Sequence, residues 1–109
     1  MLERDFQKKL IKELESRYKG CIILKNDAKY KRAIPDLTIL YKDRWATLEV
    51  KASAKASHQK NQDLKVEEMN KMSFSAFIFP ENKEEILNEL DGHFTRSIFP
   101  ESTGMAKVQ

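Results

Sequence analysis

The sequence contains a single cysteine, three glycines and two histidines, and it has no apolar run long enough to cross a membrane. Cys21 has no second cysteine to pair with, so we expect it to pack as a small hydrophobic side chain. The glycines are isolated, which excludes a glycine-rich phosphate-binding loop. His58 and His93 lack ligand-like neighbours, and each is expected at the surface. Zinc chemistry, thiol chemistry and a nucleotide-binding loop are therefore not predicted.

The composition predicts one globular domain with a single modest core, since 40% of the 109 residues are hydrophobic and 34% are charged. The N-terminus lacks the pattern of a signal peptide, so we expect a cytoplasmic protein. Residues 1–60 hold 15 Lys and Arg against 8 Asp and Glu, whereas residues 61–109 hold 5 against 9. The basic first half favours a polyanionic partner, although solvated lysines on helix faces produce the same bias.

The pattern of apolar residues predicts the element order α-β-β-β-α-β-α. The predicted elements cover residues 2–18, 22–24, 37–41, 45–50, 57–72, 74–79 and 82–90. This is an α/β fold with a central mixed β-sheet flanked by helices, in which strand 22–24 is buried. The first helix and helix 57–72 should lie on opposite faces or edges of the sheet. Residues 1–92 are predicted to form the domain, and residues 93–109 a C-terminal extension with a loose end.

Two acids and a base interrupt the apolar strands of a predicted β-hairpin. Asp36 begins the first strand, and Glu49 and Lys51 lie near the end of the second. Residues two apart on a strand share a face, so Glu49 and Lys51 project together and Val50 projects the other way. A short turn brings Asp36 beside Glu49. Neighbouring carboxylates repel each other unless a cation lies between them, which predicts a divalent metal site.

Oxygen ligands without a His or Cys cluster favour Mg²⁺ or Mn²⁺ as the metal. Asp36 and Glu49 would be the central ligands, with the Val50 carbonyl as a further one. The apolar residues of the first helix centre near the direction of Glu3, so Glu3 is predicted on the buried face, where it would complete the metal site. Alternatively, Glu3 is an ordinary acid of the first helical turn.

Pro35-Asp36 and Glu49-Val50-Lys51 match the signature of the PD-(D/E)xK nuclease superfamily, which the chain resembles. It is most similar to the VRR-NUC and phage Holliday-junction-resolvase-like branch. The resemblance implies a restriction-endonuclease-like core and a Mg²⁺- or Mn²⁺-dependent endodeoxyribonuclease acting on branched DNA as a homodimer. VRR-NUC-like proteins usually have Gly two residues before the Pro-Asp pair, and Ala33 stands there in this chain.

A glutamine in the helix after the motif lysine also recurs in proteins that the chain resembles. Gln62 shares a helix face with Val66 and Met69, so it should point back at the sheet near Lys51. Gln59 is the competing candidate. Lys51 would orient the attacking water or stabilise charge in the transition state, and Gln62 would position water, Lys51 or a phosphate.

The candidate DNA-binding residues are four basic side chains: Lys29, Lys31, Arg32 and Lys55. Tyr30 lies among the first three of them. Such a loop can contact phosphates and stack on a base, or it can equally be an ordinary solvated loop.

Several alternatives to a junction-cutting homodimer stay open. The same site could serve a nicking or flap nuclease, and the fold could serve a non-catalytic nucleic-acid-binding module. Phe94, Ile98 and Phe99 have no obvious partner in the predicted elements. They are candidates for dimer contacts, or they fold back onto the body of the same chain.

Overall fold

A computed structural model describes residues 1–95 of the chain. They form a four-stranded mixed β-sheet and three α-helices, which confirms the predicted α/β class and element order. In chain order the elements are α1 (Glu3–Arg17), β1 (Ile22–Lys25), β2 (Leu37–Tyr41), β3 (Arg44–Val50), α2 (Lys60–Met72), β4 (Phe74–Ile78) and α3 (Lys83–Thr95), with a 3₁₀ turn at Pro80–Asn82. No helix in residues 1–95 is both long and apolar enough to span a membrane.

The sheet has the strand order β1-β2-β3-β4, with the first three strands antiparallel and β4 parallel to β3. Lys42 and Asp43 form the tight turn of the predicted hairpin between β2 and β3. Lys42 has a φ of 58°, the positive value that a two-residue hairpin turn requires. A parallel pair cannot be joined by a tight turn, and α2 supplies the longer crossover from β3 to β4.

The two faces of the sheet are covered differently. Alternate strand residues point to opposite faces, so Leu48 and Val50 face one way and Glu49 faces the other. α1 and α3 pack on the apolar face, and α2 packs on the face that carries Glu49, as the sequence predicted. The core on the apolar face consists of Phe6, Leu10, Leu14, Tyr18, Leu37, Ile39, Ala46, Leu48, Val50, Ile78, Ile86, Leu87, Leu90 and Phe94.

Strand β1 differs from the prediction, because it is an edge strand and is not buried. Ile22 is 56% exposed and Leu24 is 46% exposed, whereas Ile23 packs against the core. An edge strand covered on one face buries only every second side chain. The continuous apolar run Ile22-Ile23-Leu24 therefore did not indicate burial on both faces.

The last helix continues past Leu90 to Thr95, across the predicted boundary at residue 92. Phe94 is buried in this helix, with ring centroids 5.0 Å from Tyr18 and 5.4 Å from Tyr41. Of the two alternatives for Phe94, packing on the body of the same chain is therefore the one found, and Phe94 is not available for a dimer interface. Ile98, Phe99 and the predicted loose end lie outside the described residues.

His93 is also placed differently from the prediction of a surface histidine. Its Nε2 atom lies 2.9 Å from the backbone oxygen of Trp45 and 3.2 Å from Oγ of Ser73. The side chain of Arg44 donates to the backbone oxygen of His93. These contacts tie the end of α3 to the start of β3. His58, in contrast, is exposed as predicted.

Ala33 adopts a left-handed backbone conformation with a φ of 64°. This is the position where the resembled family usually has glycine, and such a conformation strains any residue with a Cβ atom. We expect Ala33→Gly to raise the free energy of unfolding by up to about 1 kcal/mol, because strain relief exceeds the entropy gained by the unfolded chain. Chemical denaturation would measure the change.

The matched control for Ala33→Gly is Ala28→Gly in the same loop, since Ala28 has no positive φ. Without strain to relieve, this variant should lose about 0.5–1 kcal/mol. Equal destabilisation by both variants would contradict the assignment of strain to residue 33.

Candidate active site

The hairpin brings Asp36 and Glu49 into direct contact. The backbone N–H of Asp36 donates to Oε1 of Glu49 at 3.2 Å, and the backbone N–H of Val50 donates to Oδ2 of Asp36 at 2.9 Å. Each acid is therefore held by the backbone of the opposite strand, beside the other acid. The prediction that Asp36 lies next to Glu49 is confirmed.

Gln62 connects Glu49 to Lys51. Its Nε2 atom donates to Oε2 of Glu49 at 2.8 Å, and its Oε1 atom accepts a hydrogen bond from Nζ of Lys51 at 2.9 Å. Lys51 Nζ also lies 3.6 Å from Oε2 of Glu49. Glu49 and Lys51 are both buried, so these contacts replace water around two charged groups.

The competing glutamine, Gln59, has a different position. It is the N-cap of α2, and its backbone N–H donates to Oε1 of Gln62 at 3.3 Å, which is one half of a capping box. Gln62 is thus the glutamine that contacts both the acid and the base. Gln59 supports the start of the helix from which Gln62 projects.

Burial has the largest effect on the pKa values of Asp36 and Glu49. It raises the pKa of Glu49 to about 7, and the neighbouring charge of Asp36 adds to the increase. Lys51 and the backbone N–H of Asp36 act in the opposite direction. The pKa of Asp36 is also raised, again mainly by burial, against the opposing effects of the Val50 amide and Lys51. Two acids facing one lysine leave an excess of negative charge that a divalent cation would neutralise.

The oxygen atoms around Asp36 suit a hard cation. Oδ1 of Asp36 accepts no hydrogen bond from the described residues and is not fully buried. The N–H and C=O of one strand residue point to the same edge of the strand. Because the Val50 N–H reaches Asp36, the Val50 carbonyl is directed towards the same side. Asp36, Glu49 and Val50 could therefore offer oxygen ligands to Mg²⁺ or Mn²⁺.

Glu3 is not in the position that was predicted for it. It lies at the very start of α1 and is exposed, because the first turn of the helix extends past the core that buries Phe6. Its charge nevertheless contributes to the raised pKa of Glu49, so the two acids are close enough to interact. Within residues 1–95, no three His, Cys, Asp or Glu side chains converge as a metal-binding group. A role for Glu3 through water stays a prediction.

A cavity of about 390 Å³ opens beside the two acids. The loop before β2 and the start of α2 form its walls. Its lining residues are Ala28, Arg32, Ala33, Ile34, Asp36, Glu49, Gln59, Asn61 and Gln62. Arg32 is thus the predicted DNA-binding residue that shares a cavity with the acids, whereas Lys29, Lys31 and Lys55 are exposed and do not line it.

Asn26 supports the site and was not identified from the sequence. Its side-chain Nδ2 atom donates to the backbone oxygen of Pro35 at 2.9 Å and to Oγ1 of Thr38 at 2.8 Å. Its backbone N–H donates to the backbone oxygen of Asp36 at 2.8 Å. Asn26 therefore fixes the backbone on both sides of Asp36. Its partners are 9 to 12 residues away, and no local pattern indicates such a contact.

Comparisons of the chain with models of protein families, with curated proteins and with solved structures found no match.

Proposed function

We propose that the chain is a metal-dependent endodeoxyribonuclease with a restriction-endonuclease-like core, which hydrolyses phosphodiester bonds in branched DNA. The observation that carries this proposal is the contact network of Asp36, Glu49, Lys51 and Gln62 beside a solvent-accessible cavity. These residues match the motif positions of the PD-(D/E)xK superfamily that the sequence resembles. The left-handed conformation of Ala33 agrees with the glycine that is usual in that family.

In the proposed reaction, Asp36, Glu49 and the Val50 carbonyl would hold Mg²⁺ or Mn²⁺. When bound there, such a cation would lower the pKa of a water molecule and neutralise charge on the phosphate. Lys51 directs its ammonium group at the attacking water or at the charged oxygens of the transition state. Gln62 restricts the motion of Lys51 through the 2.9 Å hydrogen bond. Arg32, on the wall of the cavity, binds a phosphate of the DNA backbone.

A purely structural ion cluster would explain this arrangement less well. Burying Glu49 and Lys51 costs desolvation energy, and apolar side chains of similar volume would stabilise a hairpin better. A non-catalytic nucleic-acid-binding module is the second alternative. Such a module would normally lack one of the motif side chains, and this chain keeps Asp36, Glu49 and Lys51.

The substrate panel that tests the proposal consists of four-way junctions, flaps, single strands and intact duplexes. We expect nicking of branched DNA with Mg²⁺ or Mn²⁺ and none in EDTA, because the proposed hydrolysis would need a divalent cation held by the two acids. Cleavage of flaps but not of junctions would favour the nicking or flap nuclease. Binding without cleavage of any substrate would favour the non-catalytic module.

Resolution of a four-way junction needs two nicks, and a twofold homodimer would supply both sites. We therefore expect dimers if junctions prove to be the preferred substrate. Sedimentation at micromolar protein, with and without DNA, distinguishes a dimer from a monomer. A monomer under both conditions would leave a simple nicking enzyme as the proposed function.

A further inference from the structure

Tyr30 is the most exposed of the large hydrophobic side chains in residues 1–95, with 89% of its surface accessible. An aromatic ring with this exposure gains almost nothing from the hydrophobic effect in the isolated chain. It does not contribute to the stacked or edge-to-face ring pairs of the described core, which involve Tyr18, Tyr41 and Phe94.

The backbone that carries Tyr30 is held by Asp27. The backbone oxygen of Asp27 accepts hydrogen bonds from the N–H groups of Tyr30 at 3.1 Å and Lys31 at 3.2 Å, and its carboxylate accepts one from the N–H of Lys29 at 2.8 Å. Three hydrogen bonds to one residue define a turn with Tyr30 near its tip. The exposed ring is therefore carried by a hydrogen-bonded turn.

This turn is adjacent to the candidate active site. Ala28 and Arg32, two residues before and two residues after Tyr30, both line the cavity that contains Asp36 and Glu49. Two residues of extended chain span at most about 7 Å, so the Tyr30 backbone lies within that distance of the cavity wall on either side. The residues flanking Tyr30 are Lys29 and Lys31, both exposed cations.

We propose that Tyr30 stacks on an unpaired base next to the phosphate that is cut, and so selects DNA with a branch or a single-stranded segment. The inference rests on the proposed function and names its substrate class. Lys29, Lys31 and Arg32 attract the phosphate backbone. The ring of Tyr30 stacks on the face of an unpaired base, which in an intact duplex is covered by the neighbouring base pairs.

The test measures DNA binding in EDTA, so that cleavage does not interfere. Tyr30→Ala should weaken binding of flaps and single strands about 5- to 150-fold, the range for loss of one base–aromatic stack. Binding of intact duplex should change less than about twofold, and Tyr30→Phe should keep wild-type affinity. The fluorescence of 2-aminopurine at the unpaired position should respond to wild-type protein and not to Tyr30→Ala.

Two controls separate stacking from other effects. Met72→Ala removes another exposed apolar side chain, which is 65% accessible and lies at the C-terminal end of α2. This variant should leave the affinity for every DNA form unchanged. Reversal of the three neighbouring charges (Lys29→Glu, Lys31→Glu, Arg32→Glu) should weaken all DNA forms about equally and reduce the salt dependence of binding.

Equal weakening of duplex and branched DNA by Tyr30→Ala, or no weakening at all, would overturn the inference. If the wild-type protein cuts branched DNA and Tyr30→Ala binds as well as wild type, the inference fails while the proposed function stands. If the wild-type protein cuts nothing but the Tyr30-dependent preference for unpaired DNA is observed, the proposed reaction fails and the stacking site stands.

Discussion

Asp36→Asn, Glu49→Gln and Lys51→Ala are each expected to abolish cleavage of the preferred DNA substrate while the fold is retained. For the two acids we expect a loss of at least about 10³-fold, because the metal that we propose they hold would supply several kcal/mol of transition-state stabilisation. For Lys51→Ala we expect about 10²- to 10³-fold, comparable to the removal of one charge-stabilising donor. Single-turnover cleavage at saturating protein measures these losses.

Metal binding separates the roles of the three residues. Calorimetric titration with Mn²⁺ should show weakened binding for Asp36→Asn and Glu49→Gln, but not for Lys51→Ala, which removes no ligand. Glu67→Gln is the matched control, because Glu67 is an exposed acid on α2 and should change neither cleavage nor metal affinity. Undiminished cleavage by clean preparations of Glu49→Gln would show that the site is assigned wrongly.

In EDTA, the free energy of unfolding of the wild-type protein should fall by about 2.5 kcal/mol relative to Glu49→Gln as the pH rises from 5 to 8. Burial raises the pKa of Glu49 from 4.5 to about 7 in the folded state. Between pH 5 and pH 8 the folded state therefore binds more protons than the unfolded state, so the free energy of unfolding decreases as the pH increases. The magnitude follows from about 1.4 kcal/mol per pKa unit.

Urea denaturation at closely spaced pH values would test this pH dependence. Glu67→Gln, the same substitution at an exposed acid of α2 outside the site, is the control in this experiment. Addition of Mg²⁺ at pH 8 should restore much of the lost stability in the wild type and less in Glu49→Gln, because the proposed cation would bind the ionised folded state. A wild-type profile parallel to that of Glu49→Gln in EDTA would contradict the raised pKa.

Local sequence patterns determined the hairpin and the position of its charged residues. Alternating side chains assign Glu49 and Lys51 to one face and Val50 to the other, and a two-residue turn brings Asp36 beside Glu49. The helical spacing of Gln62 likewise predicted its direction towards Lys51. The register of a hairpin and the face that a helix residue occupies are local properties, which are readable from residue order alone.

Tertiary structure decided the features that depend on contacts between distant segments. Ile22 and Leu24 are exposed because α2 lies over β4 and leaves their face of β1 uncovered, and α3 continues to Thr95 because Phe94 is buried against Tyr18. Whether each of these residues is buried depends on which other segment packs against it, and an apolar run in the sequence does not identify that segment.

The candidate site shows the same division. The sequence by itself determined the pairing of Asp36 with Glu49, because hairpin register is a local property. Only the tertiary structure decided that Glu3 is exposed, that Asn26 fixes the backbone around Asp36, and which glutamine contacts Glu49. The physical reason is that these positions follow from where α1, the loop before β2 and α2 are docked on the sheet. Docking depends on the packing of the whole domain.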